Sequence, residues 1–361
     1  MPAAHEANVL ATYRTLRVAM IPLLLTLVVA PTLETFRGQT CVLGSVSAYF
    51  HTPARGAFVC ALAGLGALLI AYKGNDDVED VLLDFAGFMA FLVALVPTAV
   101  DPICADKYGL VVADAGSASG VRNNVATLAL VVVVGLVLSR IIPRVVAAAT
   151  DRSARAALAE SSPTRPDDVG RPSRTARILG FVTSSVVIGE LGLCGLFPHF
   201  FTDHGHTISA VTMVLGVLGV MIANARGLAG ASEGTDKPSA RHWVNGYSVT
   251  AAATLGLIAL AVAGLRSSDH LALVVELIVI TGFAAFWLRQ TRELWNFQTR
   301  EQKAQAVDRL VAHRDRDQTR EVVSAPGPGC GARQPLAPPP VDHQPAAAKP
   351  PPSRRDLYRA L

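Results

Sequence analysis

Long apolar runs dominate the sequence, and short polar segments separate them. Eight of these runs have the ~17–25 residues that a helix needs to cross the ~30 Å hydrocarbon core of a bilayer. None shows the alternating polarity of a membrane β-barrel strand, and a helix satisfies its own backbone hydrogen bonds in lipid. The pattern therefore predicts an all-α fold, a polytopic transmembrane helical bundle over residues 18–290. The eight predicted spans are 18–35, 56–73, 80–100, 124–143, 178–198, 207–225, 244–265 and 269–289.

The first run has a second interpretation. Arg14 and Arg17 precede it, and Val28-Val29-Ala30 resembles the cleavage site of a secretory signal peptide. Cleavage there would leave the topology of the other seven spans unchanged. The sequence leaves both interpretations of this run open.

The overall composition agrees with a membrane location. Hydrophobic residues make up 51% of the chain and charged residues only 17%, against about 25% charged residues in a soluble domain. The net charge of +4 fits arginines retained in cytoplasmic loops, and it does not indicate nucleic-acid binding. We therefore expect a multi-pass protein of the cell membrane, with the lipid bilayer as its surroundings.

The distribution of arginine predicts the orientation. Eight arginines lie between residues 140 and 177, whereas the polar segment 199–206 has neither lysine nor arginine. Because basic residues stay on the cytoplasmic side, both termini are predicted to be cytoplasmic, with residues 1–17 as a short cytoplasmic segment. After the last span, 291–323 is predicted to form a charged cytoplasmic helix. The Pro/Ala-rich residues 324–361 are predicted to be disordered.

With this topology, the concentrated polar side chains gather toward the outer side of the membrane. Ionisable residues in or beside a bilayer usually face the bundle interior and a partner. We therefore predict an outward-facing polar pocket that takes a small-molecule or lipid ligand. Its candidate residues are Ser45, Ser47, Tyr49, His51, Asp101, Glu190, His206, Ser209 and Glu276.

Each of these residues also has a purely structural interpretation. Ser45 and Ser47 could cap a turn, and His206 could lie at the membrane interface. Glu190 and Glu276 could bridge hydroxyl groups and only fix helix packing. The acidic residues between 76 and 80 are interpreted as charges of a cytoplasmic loop.

The five cysteines lack the spacing of a zinc ribbon or a redox motif. Cys60 and Cys194 lie in apolar runs and are interpreted as packing residues. Cys41 and Cys104 are predicted to lie on the same, oxidising side of the membrane. They are a candidate disulfide pair.

Several stretches resemble a family of bacterial multi-pass membrane proteins of actinobacterial type, for which no activity is established. They are "SAYFHTPARGAFVCALAGLGALLIAYKG", "DFAGFMAFLVALVPT", "HTISA" and a last span with Glu276 ahead of a tryptophan. The family's motif residues stand here as Ser45, Ser47, Tyr49, Phe50, His51, Thr52, His206, Ser209 and Ala210. This resemblance implies the fold and the membrane location.

A more distant similarity is to the superfamily of alkaline ceramidases and progestin and adipoQ receptors. Ser47 and His51 match the spacing of a serine four residues before a histidine in those zinc-dependent hydrolases. The superfamily's HxxxH pair and central aspartate in the third span have no counterpart here. Apart from the superfamily's motif, His51, Asp101 and His206 would supply three zinc ligands if the second, third and sixth spans adjoin.

Three functional hypotheses follow. The first is a membrane protein with an outward-facing polar pocket, and the second is a metal-dependent hydrolase of a lipid or amide. The third is a small-solute or proton-coupled transporter, which depends on Glu190 and Glu276. Motifs of soluble enzymes such as GxSxG and HExxH do not occur, so the sequence leaves open whether the protein is an enzyme.

Overall fold

The computed structural model describes residues 2–37, 41–99, 118–149, 172–233, 243–324 and 357–358. Over these ranges the chain forms nine long α-helices and one short 3₁₀ helix, without a strand. Each of the eight predicted apolar runs falls on one of the first eight α-helices. The helices are α1 Pro2–Arg37, the 3₁₀ helix Ser47–His51, α2 Arg55–Ala71, α3 Asp77–Leu95, α4 Ala118–Ala149, α5 Arg174–Leu196, α6 Pro198–Glu233, α7 Gly246–Leu265, α8 Leu271–Glu293 and α9 Arg300–Ser324.

Six of the helices in the described ranges, α1 and α4 to α8, are long and apolar enough to cross a membrane. The sequence pattern predicts eight, and the difference lies in α2 and α3. Helix α2 has only 17 residues. Helix α3 carries carboxylates at Asp77, Glu79, Asp80 and Asp84 in its first turns. The apolar length of these two helices is therefore shorter than that of their neighbours.

The described helices pack as a ring with two helices outside it. Around the ring, α1 contacts α2, α2 contacts α3, α3 contacts α6, α6 contacts α7, and α7 and α1 both contact α8. Helices α4 and α5 pack outside this ring against α3 and α6. Most large side chains of α4 between Leu130 and Val146 are exposed, as expected for a helix that faces lipid. The larger core cluster lies inside the ring, and a second one packs α4 and α5 against α3 and α6.

Glycines allow the helices at the centre of the ring to approach closely. A Cβ atom added to Gly66 of α2 would lie 2.7 Å from the backbone oxygen of Gly87 in α3, and the converse distance is also 2.7 Å. On α6, Gly216 and Gly219 face α3 in the same way, at Ala86 and Leu82. Such small residues let membrane helices pack backbone to backbone.

The chain begins three of its helices with side-chain caps. Asp76 accepts hydrogen bonds from the backbone N–H groups of Val78 and Glu79 at 2.9 and 2.8 Å. Ser173 accepts from Ala176, and Asn245 forms a capping box at the start of α7. These caps satisfy N–H groups that a helix cannot pair internally.

The bundle has two polar ends. We call the end with His51 and His206, where α2, α6 and α8 begin, the histidine end. We call the opposite end, with Arg17 and Arg300, the arginine end. At the arginine end, the charged helix predicted over 291–323 is interrupted: α8 ends at Glu293 and α9 begins only at Arg300.

Candidate functional site

At the histidine end, a glutamate from α8 holds the start of the 3₁₀ helix. Glu276 accepts a hydrogen bond from the backbone N–H of Val46 at 2.5 Å and from Ser47 Oγ at 2.7 Å. Its carboxylate therefore lies at the N-terminus of the 3₁₀ helix, where negative charge is favourable. The pairing joins residues 229 positions apart in the sequence.

Two histidines of the predicted site form hydrogen bonds with backbone oxygens directly after the end of α3. His206 Nδ1 lies 2.5 Å from the carbonyl oxygen of Val96, and His51 Nε2 lies 2.8 Å from that of Thr98. A carbonyl oxygen only accepts, so each of these ring nitrogens carries the hydrogen. The two carbonyl oxygens belong to residues only two positions apart in the chain. The structure thus brings together His51 and His206, which lie far apart in the sequence.

One ring nitrogen of this pair lacks a partner. His51 Nδ1 is buried and has no hydrogen-bond partner. Buried polar atoms in proteins are paired in the great majority of cases, and an unpaired one calls for an explanation. His51 Nδ1 is therefore the atom of the predicted site whose hydrogen-bonding capacity is unused.

A small cavity lies inside the bundle beside the start of the 3₁₀ helix. Its volume is about 70 Å³, and its walls come from α1, α2, α3, α6, α8 and the start of the 3₁₀ helix. Ser47 and Glu276 are its polar residues, and Ala210 lies on its α6 wall. Neither His51 nor His206 lines it; Ser47 and Ala210 are each four residues from one of them in the sequence. The cavity is apolar with one carboxylate.

The remaining described candidates serve the packing around this region. Ser45 Oγ accepts from Ala48 N at 2.9 Å, and the Tyr49 hydroxyl lies 2.5 Å from Thr35 Oγ1. Both contacts fix the 3₁₀ helix. Between α5 and α6, Glu190 accepts from Ser209 Oγ at 2.7 Å and from Thr212 Oγ1 at 3.2 Å. This is the hydroxyl bridging named above as the structural interpretation.

Two predicted residues, Asp101 and Cys104, lie outside the described residues. Cys41 is disulfide-bonded and Cys60 and Cys194 are free, but the pairing of Cys41 with Cys104 stays a prediction. Within the part of the chain that is described, no three His, Cys, Asp or Glu residues form a group that could hold a metal ion. Of the three residues predicted as zinc ligands, the described part of the chain therefore contains only His51 and His206.

The arginine end holds a second polar cluster, which the sequence did not predict. Its five residues, which we call the arginine-end network, close a ring of hydrogen bonds between α3, α6, α8 and α9. The members are Asn75, Glu79, Asn224, Gln290 and Arg300. Gln290 Nε2 donates to Glu79 at 2.9 Å, Arg300 Nη2 donates to Asn224 Oδ1 at 2.6 Å, and Arg300 N donates to Asn75 Oδ1 at 2.9 Å.

The network is buried and charge-compensated. Arg300 is 4% exposed and Glu79 1%. Arg300 Nε also donates to Glu293 Oε1 at 3.0 Å, and Tyr247 donates to the other oxygen of Glu293. Glu293 raises the pKa of Arg300 far above its ordinary value, although burial acts in the opposite direction. Arg300 is therefore a permanent charge that fixes the start of α9 to the bundle.

Arg17 makes a comparable attachment from α1. It is fully buried and donates to the carbonyl oxygens of Leu294, Phe297 and Gln298 at 2.5, 3.0 and 2.7 Å. Its Nε also donates to the Tyr72 hydroxyl at 3.0 Å. The guanidinium thereby pairs the carbonyl groups that follow α8, where a positive charge is favourable.

A larger cavity of about 940 Å³ opens beside this network. Its volume lies within the range of ligand pockets. Its walls carry both signs of charge, with Asp76, Asp77 and Glu301 opposite Arg226 and Arg300. None of the buried unpaired polar atoms of the described chain lines it. Its lining therefore presents charged groups of both signs, without one of those unpaired atoms.

The sequence did not indicate the arginine-end network, because its hydrogen-bonded residues lie far apart in the chain. Glu79, which was expected to be a loop charge, is instead buried against Gln290. Tyr247 and Trp287 are also fully buried at this end. The available signal was that charges of both signs adjoin the apolar runs at Arg17, Glu79 and Glu293.

Comparison with protein-family models, with curated proteins and with solved structures finds no match to the chain. The arguments for function therefore come from the residues and their geometry.

Proposed function

We propose that the protein is an eight-span bundle of the cell membrane with both termini in the cytoplasm. The apolar helices support the membrane location, and the arginine distribution supports the orientation. Helices α2 and α3 complete the eight spans as the inner members of the bundle. In this orientation the histidine end faces outward and the arginine end lies at the cytoplasmic surface.

The function that we propose is binding of a lipid-like ligand at the histidine end. The observation that carries it is the buried, unpaired His51 Nδ1, and the small apolar cavity lined by Ser47 and Glu276 at the same end of the bundle supports it. A hydrogen-bond donor in the polar part of an amphiphile would pair His51 Nδ1. The cavity holds the volume of about two water molecules, so it admits only a slender apolar group. A ligand with one polar donor and a narrow apolar segment fits both features.

Lipids retained by the purified protein test this function. The wild type, His51→Ala, His206→Ala and a control variant, His204→Ala, are purified in mild detergent and their bound lipids are measured by mass spectrometry. His204 is an exposed neighbour whose ring stacks on Phe200. We expect the wild type and the control to retain the same lipid and both pocket variants to lose it. Equal retention in all four proteins would contradict the proposal.

A second candidate is a metal-dependent hydrolase. Metal-bound histidines almost always donate their other ring N–H to a carbonyl or carboxylate, and both His51 and His206 do so. His51 Nδ1 and His206 Nε2 would be the ligand atoms. Asp101 would be the third ligand, three residues after Thr98 in the sequence. Bound zinc would supply a water whose pKa falls to about 7.

Zinc binding separates the two functions. Zn²⁺ is titrated calorimetrically into the wild type, His51→Ala, His206→Ala and Asp101→Asn. The hydrolase requires binding of one Zn²⁺ by the wild type and at least tenfold weaker binding by each variant, because every ligand contributes. If the wild type does not bind Zn²⁺, the hydrolase is excluded and lipid binding stands alone.

A further inference from the structure

A tyrosine near the end of the sequence lies buried at the arginine end. Tyr358 is only 2% exposed, although it belongs to the segment predicted to be disordered. Lys303 Nζ lies 4.7 Å from the centroid of its ring, and its hydroxyl donates to Glu293 Oε1 at 3.4 Å. We call the surface formed by Glu293 and Lys303 the tyrosine socket. An ammonium group over the ring and a carboxylate at the hydroxyl together recognise a phenol.

The tyrosine socket is held in place by the bundle itself. Arg300 and Tyr247 both donate to the Glu293 carboxylate. Lys303 Nζ donates to the backbone oxygen of Glu293 at 3.2 Å, and Lys303 is buried on the first turns of α9. None of these hydrogen bonds involves Tyr358. The tyrosine therefore adds to a site whose charges are already paired.

The chain is long enough for Tyr358 to reach and to leave this site. Lys303 and Ser324 are separated by about 31 Å along α9, at 1.5 Å per residue. The roughly 30 residues between Ser324 and Tyr358 could extend over as much as ~100 Å. Departure of Tyr358 therefore does not require α9 to move.

We propose that the segment carrying Tyr358 is an intramolecular ligand of the tyrosine socket, which it enters and leaves without unfolding the bundle. The tyrosine socket is then a docking surface for a tyrosine-bearing peptide. Its resident occupant is the chain's own C-terminal segment. Docking covers the Lys303 amine at the arginine end.

Amine labelling of Lys303 tests this proposal in the full-length protein. An acylating reagent is applied to the wild type, Tyr358→Phe and Tyr358→Ala, and the labelling rates are measured by mass spectrometry. Lys73, whose side chain is 68% exposed, is the internal reference. We expect Lys303 to react about three- to tenfold faster in Tyr358→Ala, the range expected for loss of one cation–π contact. Tyr358→Phe, which keeps the ring, should lie between the other two proteins.

Adding the segment as a separate molecule completes the test. A synthetic peptide of residues 350–361 at millimolar concentration should restore the protection of Lys303 in Tyr358→Ala, and tenfold dilution of the wild type should not change its labelling. Equal Lys303 labelling in the wild type and Tyr358→Ala would overturn the proposal. The proposal would also be overturned if the peptide did not restore the protection of Lys303, or if Tyr358→Ala unfolded the bundle. If Lys303 loses its protection from labelling on dilution, Tyr358 occupies the tyrosine socket of another copy, and the intramolecular proposal is wrong.

Discussion

At the scale of single residues, buried charges at the arginine end matter because each binds several partners. Arg17 is the clearest case, since its guanidinium donates to four oxygens, one of Tyr72 directly after α2 and three of the segment after α8. An arginine presents five N–H groups in a rigid planar arrangement, whereas a lysine concentrates three on one atom. Arginine at this position is therefore not replaceable by a lysine of equal charge.

The first prediction is that Arg17→Lys destabilises the protein by about 2–4 kcal/mol, because at least two charge-assisted hydrogen bonds are lost. Thermal unfolding can be followed by tryptophan fluorescence, since Trp287 Nε1 donates to the backbone oxygen of Arg17 at 2.9 Å. Arg14→Lys is the matched control. Arg14 binds the same segment at Trp295 and Asn296, but it is only half-buried and its hydrogen bonds are exposed. Equal melting temperatures for the two variants would show that the burial of Arg17 is irrelevant.

The second prediction concerns Lys303. Burial lowers the pKa of its ammonium group, and the nearby Glu293 only partly offsets this effect. The unfolded chain therefore binds more protons than the folded protein between the lowered pKa and the ordinary value of about 10.5. The free energy of unfolding should then rise with pH across that window. Chemical unfolding measured from pH 8 to 10.5 should show this rise in the wild type, and the rise should be smaller in Lys303→Met.

At the scale of elements, most of the helices could be predicted from the sequence. An apolar run of about 20 residues has few alternatives to a helix in lipid, and each of the eight predicted runs falls on a described helix. Contacts between helices were predicted less well. His51, His206 and Glu276 could be placed at one end by topology alone. The bonds of Glu79 to Gln290 and of Arg17 to Leu294 could not, because a single sequence contains no signal for pairing over such separations.

The third prediction tests the close crossing of α2 and α3. Gly66→Ala would place a methyl group 2.7 Å from the Gly87 carbonyl oxygen, so the two backbones must separate. We expect a loss of about 1–3 kcal/mol, the usual penalty for overpacking. Gly56→Ala is the control on the same helix, since a Cβ there meets no atom within 4 Å. A melting temperature for Gly66→Ala equal to that of Gly56→Ala would rule out the close crossing.

At the scale of the whole molecule, the two ends of the bundle have different characters. Among the described residues, the histidine end has a buried nitrogen without a partner, His51 Nδ1, and the arginine end has a buried oxygen without one, Gln290 Oε1. The arginine end also contains paired charges that attach α9. In the orientation that we propose from the arginine distribution, the arginine end lies in the cytoplasm.

The fourth prediction is the topology itself. Reporter fusions at residues 160, 235 and 330 should report a cytoplasmic location, and a fusion at residue 203 should report an external one. The physical reason is the concentration of arginines before α5, opposed to their absence from 199–206. Fusions at 160 and 203 that report the same side would contradict both the span count and the orientation.

The central claim is that His51 Nδ1 is the ligand-binding atom of the histidine end. The most direct measurement is nitrogen NMR of the protein with ¹⁵N-labelled histidine. The protein is delipidated in detergent, and its spectrum is recorded before and after addition of a total lipid extract of its native membrane. The account predicts that the His51 Nδ1 resonance shifts when the extract is added, as this nitrogen gains a donor. His51 Nε2, bound to Thr98, should not shift. A His51 Nδ1 resonance that is identical before and after addition of the extract would contradict the claim.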